Sequence, residues 1–220
     1  MTVLSDTVST LRKAVDAHDE PLILRCLRKM SGLRCDLAPP ELAVQLSSVL
    51  PLSFPHRDLL FASLGQHQPP QPVQADNNNP PLVSLIPEVE TFLRLLVLKS
   101  AVKHRSCSEV VLQQSADALI GFVRSHDRRT MDILAANVWQ TYASLKRFDD
   151  IRELVMRAHR TACLRLDQAG QATLTNLILR DLVERDLINE AAMFASKAKF
   201  PGSPLFCCVF VGKGGGRPAS

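Results

Sequence analysis

Apolar residues recur at intervals of three and four along nearly every segment of this chain of 220 residues. One such stripe consists of Leu4, Val8, Leu11 and Val15. These offsets place side chains on one face of an α-helix, whereas a half-buried strand needs strict alternation. The chain is therefore predicted to be all-α.

Prolines and one polar segment divide the chain. Pro21 is suited to the first turn of a second helix, Pro39 and Pro40 to the start of a third, and Pro51 to its end. Residues 66–81 are rich in Pro, Gln and Asn and nearly lack apolar side chains, which predicts a flexible linker. The expected organisation is an N-terminal helical segment (1–65), this linker (66–81), a helical array (82–200) and a disordered tail rich in glycine (201–220).

The array contains a weak repeat. Three comparable turns lie about 40 residues apart, at Arg105-Ser106-Cys107, Arg147-Phe148-Asp149 and Asp186-Leu187-Ile188. Each turn lies between two amphipathic or apolar helices, and such pairs bury their apolar sides by stacking. We predict an α-solenoid of tetratricopeptide-like helix pairs, with an irregular helical bundle as the alternative. Met193 and Phe194 are expected to lie uncovered on the outer side of the last helix.

Charge and composition exclude several classes of partner. The net charge of +4 is mild, and the basic cluster at 124–129 falls at a helix end, so it is interpreted as a solvated face rather than a nucleic-acid site. The most apolar segment, 92–102, is shorter than the ~20 residues that a membrane span needs. Six cysteines show no secreted-scaffold spacing, which favours reduced thiols in the cytoplasm or nucleus.

Residues suited to catalysis are not apparent in the sequence. No two cysteines have the spacing of a zinc site, and the Gly-rich stretch at 212–217 lacks the spacing of a phosphate-binding loop. His159 lies inside an amphipathic helix and is interpreted as a surface or hydrogen-bonded residue. Glu153 and Arg157 are four apart, which predicts an exposed ion pair. We therefore predict no catalytic, cofactor-binding or metal-binding residues, no cofactor and no small-molecule substrate.

The segment from Arg160 to Val183, RTACLRLDQAGQATLTNLILRDLV, is the most distinctive in the chain. Gly170 within it is predicted to take a positive φ that ends one helix before the next begins. The segment resembles the proteasome non-ATPase regulatory subunit 3 family, and weaker similarity extends upstream to Leu85. The family-like region is expected to span 82–201, with the first 81 residues matching poorly.

That resemblance implies a non-catalytic scaffold of the lid of the proteasome regulatory particle. It implies other lid subunits as partners, a place in the cytoplasm and nucleus, and a role in ubiquitin-dependent protein degradation. Family members continue into a winged-helix PCI domain, whereas the residues after Pro201 differ, so a truncated form is expected. The alternative is a helical-repeat adaptor of another PCI-containing complex, such as the signalosome or the translation initiation factor complex.

Overall fold

The computed structural model describes residues 3–50, 54, 56–66, 85–126 and 128–198. Within these ranges every regular element is a helix, as the apolar spacing predicts. The first group of helices is α1 (Val3–Asp16), α2 (Glu20–Asp36), α3 (Pro39–Val49) and α4 (Arg57–Ser63). The second group is α5 (Pro87–His104), α6 (Glu109–Ser125), a 3-10 turn (Arg129–Met131), α7 (Asp132–Leu145), α8 (Phe148–Arg165), α9 (Gln168–Glu184) and α10 (Ile188–Lys197). The predicted tail and all of the predicted linker except Gln66 lie outside the described residues.

Local side-chain chemistry explains where the early helices begin. Asp19 precedes α2, and its Oδ1 accepts a hydrogen bond from the backbone N–H of Leu22 at 3.1 Å. Pro21 occupies the first turn of that helix, where no backbone donor is needed. At the start of α3, Glu41 Oε2 accepts from the backbone N–H of Ala38 at 3.3 Å. Both carboxylates satisfy donors that a helix N-terminus leaves unpaired.

Helix α5 is the centre of the molecule. It packs against α1, α2, α3 and α4 of the first group and against α6 and α7 of the second. Every residue from Glu88 to Leu98 is buried. Full burial of a leucine or phenylalanine such as Phe92 or Leu96 contributes about 1.5–3 kcal/mol, so this one helix supplies much of the core.

In the described part of the chain, no helix has the length and apolarity to cross a membrane.

A buried ion pair on α5 joins the two groups of helices. Arg94, which is 5 % exposed, pairs with Glu90 one turn earlier. Its guanidinium lies 5.5 Å from the ring centre of Phe54 and 4.7 Å from that of Phe122, which belongs to α6. Burial raises the pKa of Glu90 and lowers the pKa of Arg94, and each charge opposes the shift of the other. The aromatic rings offset part of the desolvation that a buried guanidinium costs.

Helices α5 to α10 form the stacked array of helix pairs, so the predicted α-solenoid is confirmed. The three predicted turns separate α5 from α6, α7 from α8 and α9 from α10. Two of them contain a residue with positive φ, Arg105 at 50° and Asp186 at 62°. Helix α9 packs against both α7 and α8, and α10 packs on α9. Each helix added to the array thus covers apolar surface left by the preceding pair.

The last helix only partly follows the prediction. Met193 is 56 % exposed, as expected. Phe194 is half-buried instead, and its ring centre lies 5.7 Å from that of His159 on α8. Ile188, the last residue of the third predicted turn, is 53 % exposed, while Ala191 is buried. Helix α10 therefore packs through Ala191 and Phe194. The small Ala191 lets the helix approach α9 closely, and Phe194 contacts His159 on α8.

Candidate functional site

A groove of about 300 Å³ opens between the end of α6 and the start of α9. Helices α7 and α8 form its sides. We call it the arginine groove because Arg124, Arg128, Arg157 and Arg165 line it. The segment that is most distinctive in the sequence contributes Thr161, Ala162, Arg165, Asp167, Gly170 and Leu174 to its wall.

The floor of the arginine groove is apolar and belongs to the core. Met131 and Trp139 are nearly buried, at 2 % and 6 % exposure, and Leu174 is 1 % exposed. The Trp139 ring meets Tyr142 edge to face, with ring centres 6.2 Å apart. Tyr142 is itself held by a hydrogen bond from its hydroxyl to Asp117 Oδ1 at 2.8 Å. A floor made of packed core side chains is pre-formed and does not need to rearrange on binding.

The rim carries the positive charge. Arg157, Thr161 and Arg165 occupy successive turns of α8, so the spacing of four aligns them on the face beside the groove. Arg157 is exposed over 62 % of its side chain and Arg128 over 55 %, whereas Arg165 is 30 % exposed. Arg124, in the last turn of α6, is also exposed. Most of this charge therefore faces solvent.

Two aspartates also line the groove, and each is already engaged. Asp132 Oδ1 accepts from Arg165 Nη2 at 3.2 Å, which fixes the position of that guanidinium. Asp167 is buried at the start of α9, and its Oδ1 accepts from the backbone N–H of Gly170 at 2.8 Å. Burial raises the pKa of Asp167, and the hydrogen bond from Gly170 partly opposes this shift. Four arginines and two aspartates line the groove, and three of the arginines already pair with a carboxylate: Arg128 with Glu88, Arg157 with Glu153 and Arg165 with Asp132.

The prediction for Gly170 is wrong. Leu166, with φ of 57°, is the left-handed residue that ends α8, and Gly170 lies within the first turn of α9. The glycine is needed for space rather than for a positive φ. A Cβ at this position would overlap Oδ2 of Asp167 and lie 2.8 Å from its Cγ and 3.4 Å from Cβ of Ala162. The absent side chain lets the capping carboxylate sit directly over the helix start.

A charge network holds α8 against α9 next to the groove. Arg152 donates to both carboxylate oxygens of Asp181, from Nε at 3.0 Å and from Nη2 at 2.9 Å. Asp181 also accepts from Arg185 Nε at 3.1 Å, and Asp149 bridges the two arginines. The Asp181 side chain is 9 % exposed. Bidentate arginine–carboxylate pairs fix orientation as well as distance, so this network sets the position of the α8 rim.

Side chains around the groove form hydrogen bonds and ion pairs with one another. His159 Nε2 lies 3.1 Å from Thr175 Oγ1, which confirms a hydrogen-bonded role, and burial lowers its pKa. Glu153 and Arg157 form the predicted exposed ion pair at 2.7 Å. Among the described residues, no cluster of histidine, cysteine, aspartate and glutamate has the composition of a metal site. That the chain lacks catalytic, cofactor and metal residues stays a prediction.

Sequence reasoning missed the residues that make the groove. The basic cluster at 124–129 has the pattern of a solvated helix end, but the structure brings Arg124 and Arg128 to the same opening as Arg157 and Arg165. One signal was available, since Arg157 and Arg165 stand eight residues apart with Thr161 midway on a single helix face. Nothing in the sequence pairs that face with the end of α6, which lies more than thirty residues earlier.

The stacked helix pairs define a helical-repeat protein with a groove on its surface. The family model described as PSMD3-like, N-terminal TPR repeats, matches residues 2–204, and the chain belongs to this family. The match includes α1 to α4, so the family-like region is wider than the predicted 82–201.

Curated relatives agree with the family model. The chain is 30% identical over 204 residues to a probable 26S proteasome non-ATPase regulatory subunit 3 of Daucus carota, with 89% of this chain and 41% of that protein covered. The corresponding protein of Nicotiana tabacum is 29% identical with the same coverage. A probable 26S proteasome regulatory subunit of Schizosaccharomyces pombe is 27% identical over 206 residues, covering 90% of this chain and 41% of that protein. The chain thus spans about two fifths of the length of these relatives.

Proposed function

We propose that the chain is a non-catalytic scaffold subunit of the lid of the proteasome regulatory particle and acts in ubiquitin-dependent protein degradation. The observation that carries the proposal is the family match over residues 2–204, together with relatives that are named as 26S proteasome regulatory subunits. The relatives of Nicotiana tabacum and Daucus carota are non-ATPase subunits by name. A scaffold role is consistent with this description and with the stacked helices of the array.

The proposed partners are other lid subunits. Repeat arrays bind proteins along extended surfaces, and the arginine groove is a polar recess on such a surface. In this proposal the chain is present wherever assembled regulatory particles are present, in the cytoplasm and the nucleus. Neither nucleic acid nor a membrane nor a small-molecule substrate has a part in it.

Co-purification tests the proposal. A tagged chain is expressed in cells, proteasomes are isolated in the presence of a protease inhibitor, and the regulatory particle is separated into lid and base by salt. A subunit is expected to stay with the isolated lid in a fixed ratio to the other lid proteins. A chain bound as a degradation substrate would instead carry ubiquitin and would leave the lid on salt treatment. That second pattern, or the absence of the chain from the particle, would contradict the proposal.

A variant of the core provides the matched control. Leu96, on α5, is fully buried, and Leu96→Asp places a charge in the centre of the fold. This variant is expected to lose lid association and to be found only as a ubiquitylated substrate. If the variant and the parent chain distribute identically, the association of the parent chain does not depend on its fold and the scaffold proposal fails.

A further inference from the structure

We propose that the exposed face of α10 binds the same face of a second copy of this chain, with the two helices antiparallel and related by a two-fold axis near Met193. The partner is inferred from the order of the side chains along α10, because this order complements itself when one of two identical helices is reversed. Such a pair concerns the free chain and does not depend on the proposed function.

Helix α10 packs on α9 with one side only. On its other side Met193 is 56 % exposed, and Ile188 at its start is 53 % exposed. Val183 and Leu187, near the turn between α9 and α10, are exposed as well, at 55 % and 37 %. A hydrogen bond from the Asp186 N–H to the Val183 carbonyl oxygen at 3.0 Å closes this turn. Exposed apolar side chains grouped at one end of a molecule are typical of a protein contact.

The two charges on the exposed side of α10 lie one before and one after Met193. Glu190 precedes it by three residues and Lys197 follows it by four, so the three residues share one stripe of the helix. Both charged side chains are exposed, and among the described residues neither has an ion-pair partner. The exposed stripe thus consists of a carboxylate, an apolar centre and an ammonium group.

Helix α1 shows that the two charges alone do not define this pattern. Asp6 in its first turn and Lys13 in its last turn are likewise seven residues apart and exposed. Such charges are favoured by the helix dipole in any helix. The residue three positions after Asp6 is the polar Ser9, whereas α10 has the exposed Met193 at the equivalent position. Helix α1 therefore provides a matched control.

An antiparallel two-fold pair satisfies both charges of α10 at once. In a two-fold contact every interaction occurs twice, because residue i meets residue j and residue j meets residue i. With Met193 of each copy next to the axis, Glu190 lies beside the partner's Lys197, and Lys197 beside the partner's Glu190. A parallel pair would place like charges together, which is unfavourable. The charges therefore select the antiparallel orientation.

The size of the face sets the strength of the contact. Ala192 and Ser196 are small and exposed beside Met193, so two helices can approach closely there. Helix α10 is about 15 Å long, and a contact centred on it is smaller than the roughly 1,200–2,000 Å² of a standard interface. Exposed ion pairs add little affinity and mainly fix orientation. We therefore expect a dissociation constant on the order of 10–100 μM.

Sedimentation velocity of the purified full chain tests the pairing. Between about 1 and 300 μM, a range that includes the expected dissociation constant, the chain should change from a monomer to a largely dimeric form. Met193→Glu places two carboxylates next to the axis and should abolish the dimer. Met193→Leu keeps an apolar side chain of similar volume and should preserve it. Because Met193 is exposed in the single chain, both variants should fold like the parent.

Charge reversal tests the antiparallel orientation. Glu190→Lys and Lys197→Glu each turn two attractive contacts into two repulsive ones. Each variant alone should therefore self-associate about tenfold more weakly, which corresponds to about 1.4 kcal/mol. An equal mixture of the two variants should associate as tightly as the parent, because one copy then carries two lysines and the other two glutamates. The double variant E190K/K197E should also dimerise like the parent.

The control variants on α1 are Asp6→Lys and Lys13→Glu, which make the same changes of charge at the ends of another helix. Both should dimerise like the parent. Equal losses in the α1 and α10 variants would show that only net charge matters and would overturn the proposal.

Other results also decide the question. A parent chain that stays monomeric at every concentration would overturn the proposal, whether or not the residues after 198 cover α10. A mixture of Glu190→Lys and Lys197→Glu chains that associates no better than either variant alone would refute the antiparallel pair. If a charge variant loses helical content by circular dichroism, the comparison of Met193→Glu with Met193→Leu decides. Because the assay contains no proteasome, its result is independent of whether the chain enters the lid.

Discussion

Replacing Gly170 with alanine tests how α9 begins. The new Cβ would overlap the Asp167 carboxylate, so that side chain must rotate and lose its hydrogen bond from the Gly170 N–H. Loss of an N-cap costs about 1 kcal/mol, and a buried carboxylate without a donor costs about 1–3 kcal/mol. These two penalties describe the loss of the same hydrogen bond and are therefore not added together. The higher helix propensity of alanine stabilises the chain by about 1 kcal/mol and offsets part of the loss. We expect a net destabilisation of about 1–2 kcal/mol.

Thermal unfolding of four chains measures this effect: the parent, Gly170→Ala, Asp167→Ala and the double variant. In a chain of this size, a loss of 1 kcal/mol lowers Tm by about 2–4 °C. Without the Asp167 carboxylate the overlap disappears, so Gly170→Ala should then stabilise the chain by up to about 1 kcal/mol. Gly121→Ala is the control, because this glycine of α6 has open space around it and its replacement should also stabilise.

The reversal of sign is the decisive result. If Gly170→Ala stabilises the parent chain as Gly121→Ala does, the carboxylate does not occupy the position described here. A cost that is the same with and without Asp167 would mean that backbone strain, not contact, requires the glycine.

Three further predictions concern buried charge and thiols. Burial lowers the pKa of Lys99 from 10.5 to about 8, so the stability that its neutral form contributes is present above pH 10.5 and is lost as pH falls through 8. In urea unfolding, the free energy of unfolding of the parent should rise by on the order of 1–3 kcal/mol between about pH 8 and pH 10, relative to that of Lys99→Met. If the free energies of the two chains change in parallel with pH, the prediction is wrong. In thermal melts, Asp181→Ala should lower the stability by about 1–2 kcal/mol. The loss is limited because the two arginines that Asp181 holds can turn to solvent. The control Glu184→Ala, which removes an exposed ion pair, should change the stability by no more than about 0.5 kcal/mol. An alkylating reagent should modify the exposed Cys163 quickly, as detected by mass spectrometry. The buried Cys26, whose pKa is raised by burial, should react only when the chain unfolds. Equal rates of alkylation would refute the burial of Cys26.

Helix spacing was predictable because it depends on residues close together in the chain. The stripe from Leu4 to Val15 and the turn at Arg105 each depend on a few neighbouring residues, and the structure confirms both. The arginine groove depends on where α6 and α8 lie relative to each other, which no local pattern encodes. Gly170 shows the same limit, since the sequence indicates a helix junction but not which residue takes the positive φ.

The central position of α5 has a consequence for synthesis of the chain on the ribosome. Helices α1 to α4 leave the ribosome first, and the helix that covers their apolar sides ends about 40 residues after α4. At the usual 5–20 residues per second, the nascent N-terminal helices wait roughly 2 to 8 s for that partner. During this interval side chains such as Leu11, Leu42 and Phe61 lack the α5 surface that covers their helices in the folded chain. The nascent chain therefore exposes apolar surface until α5 arrives.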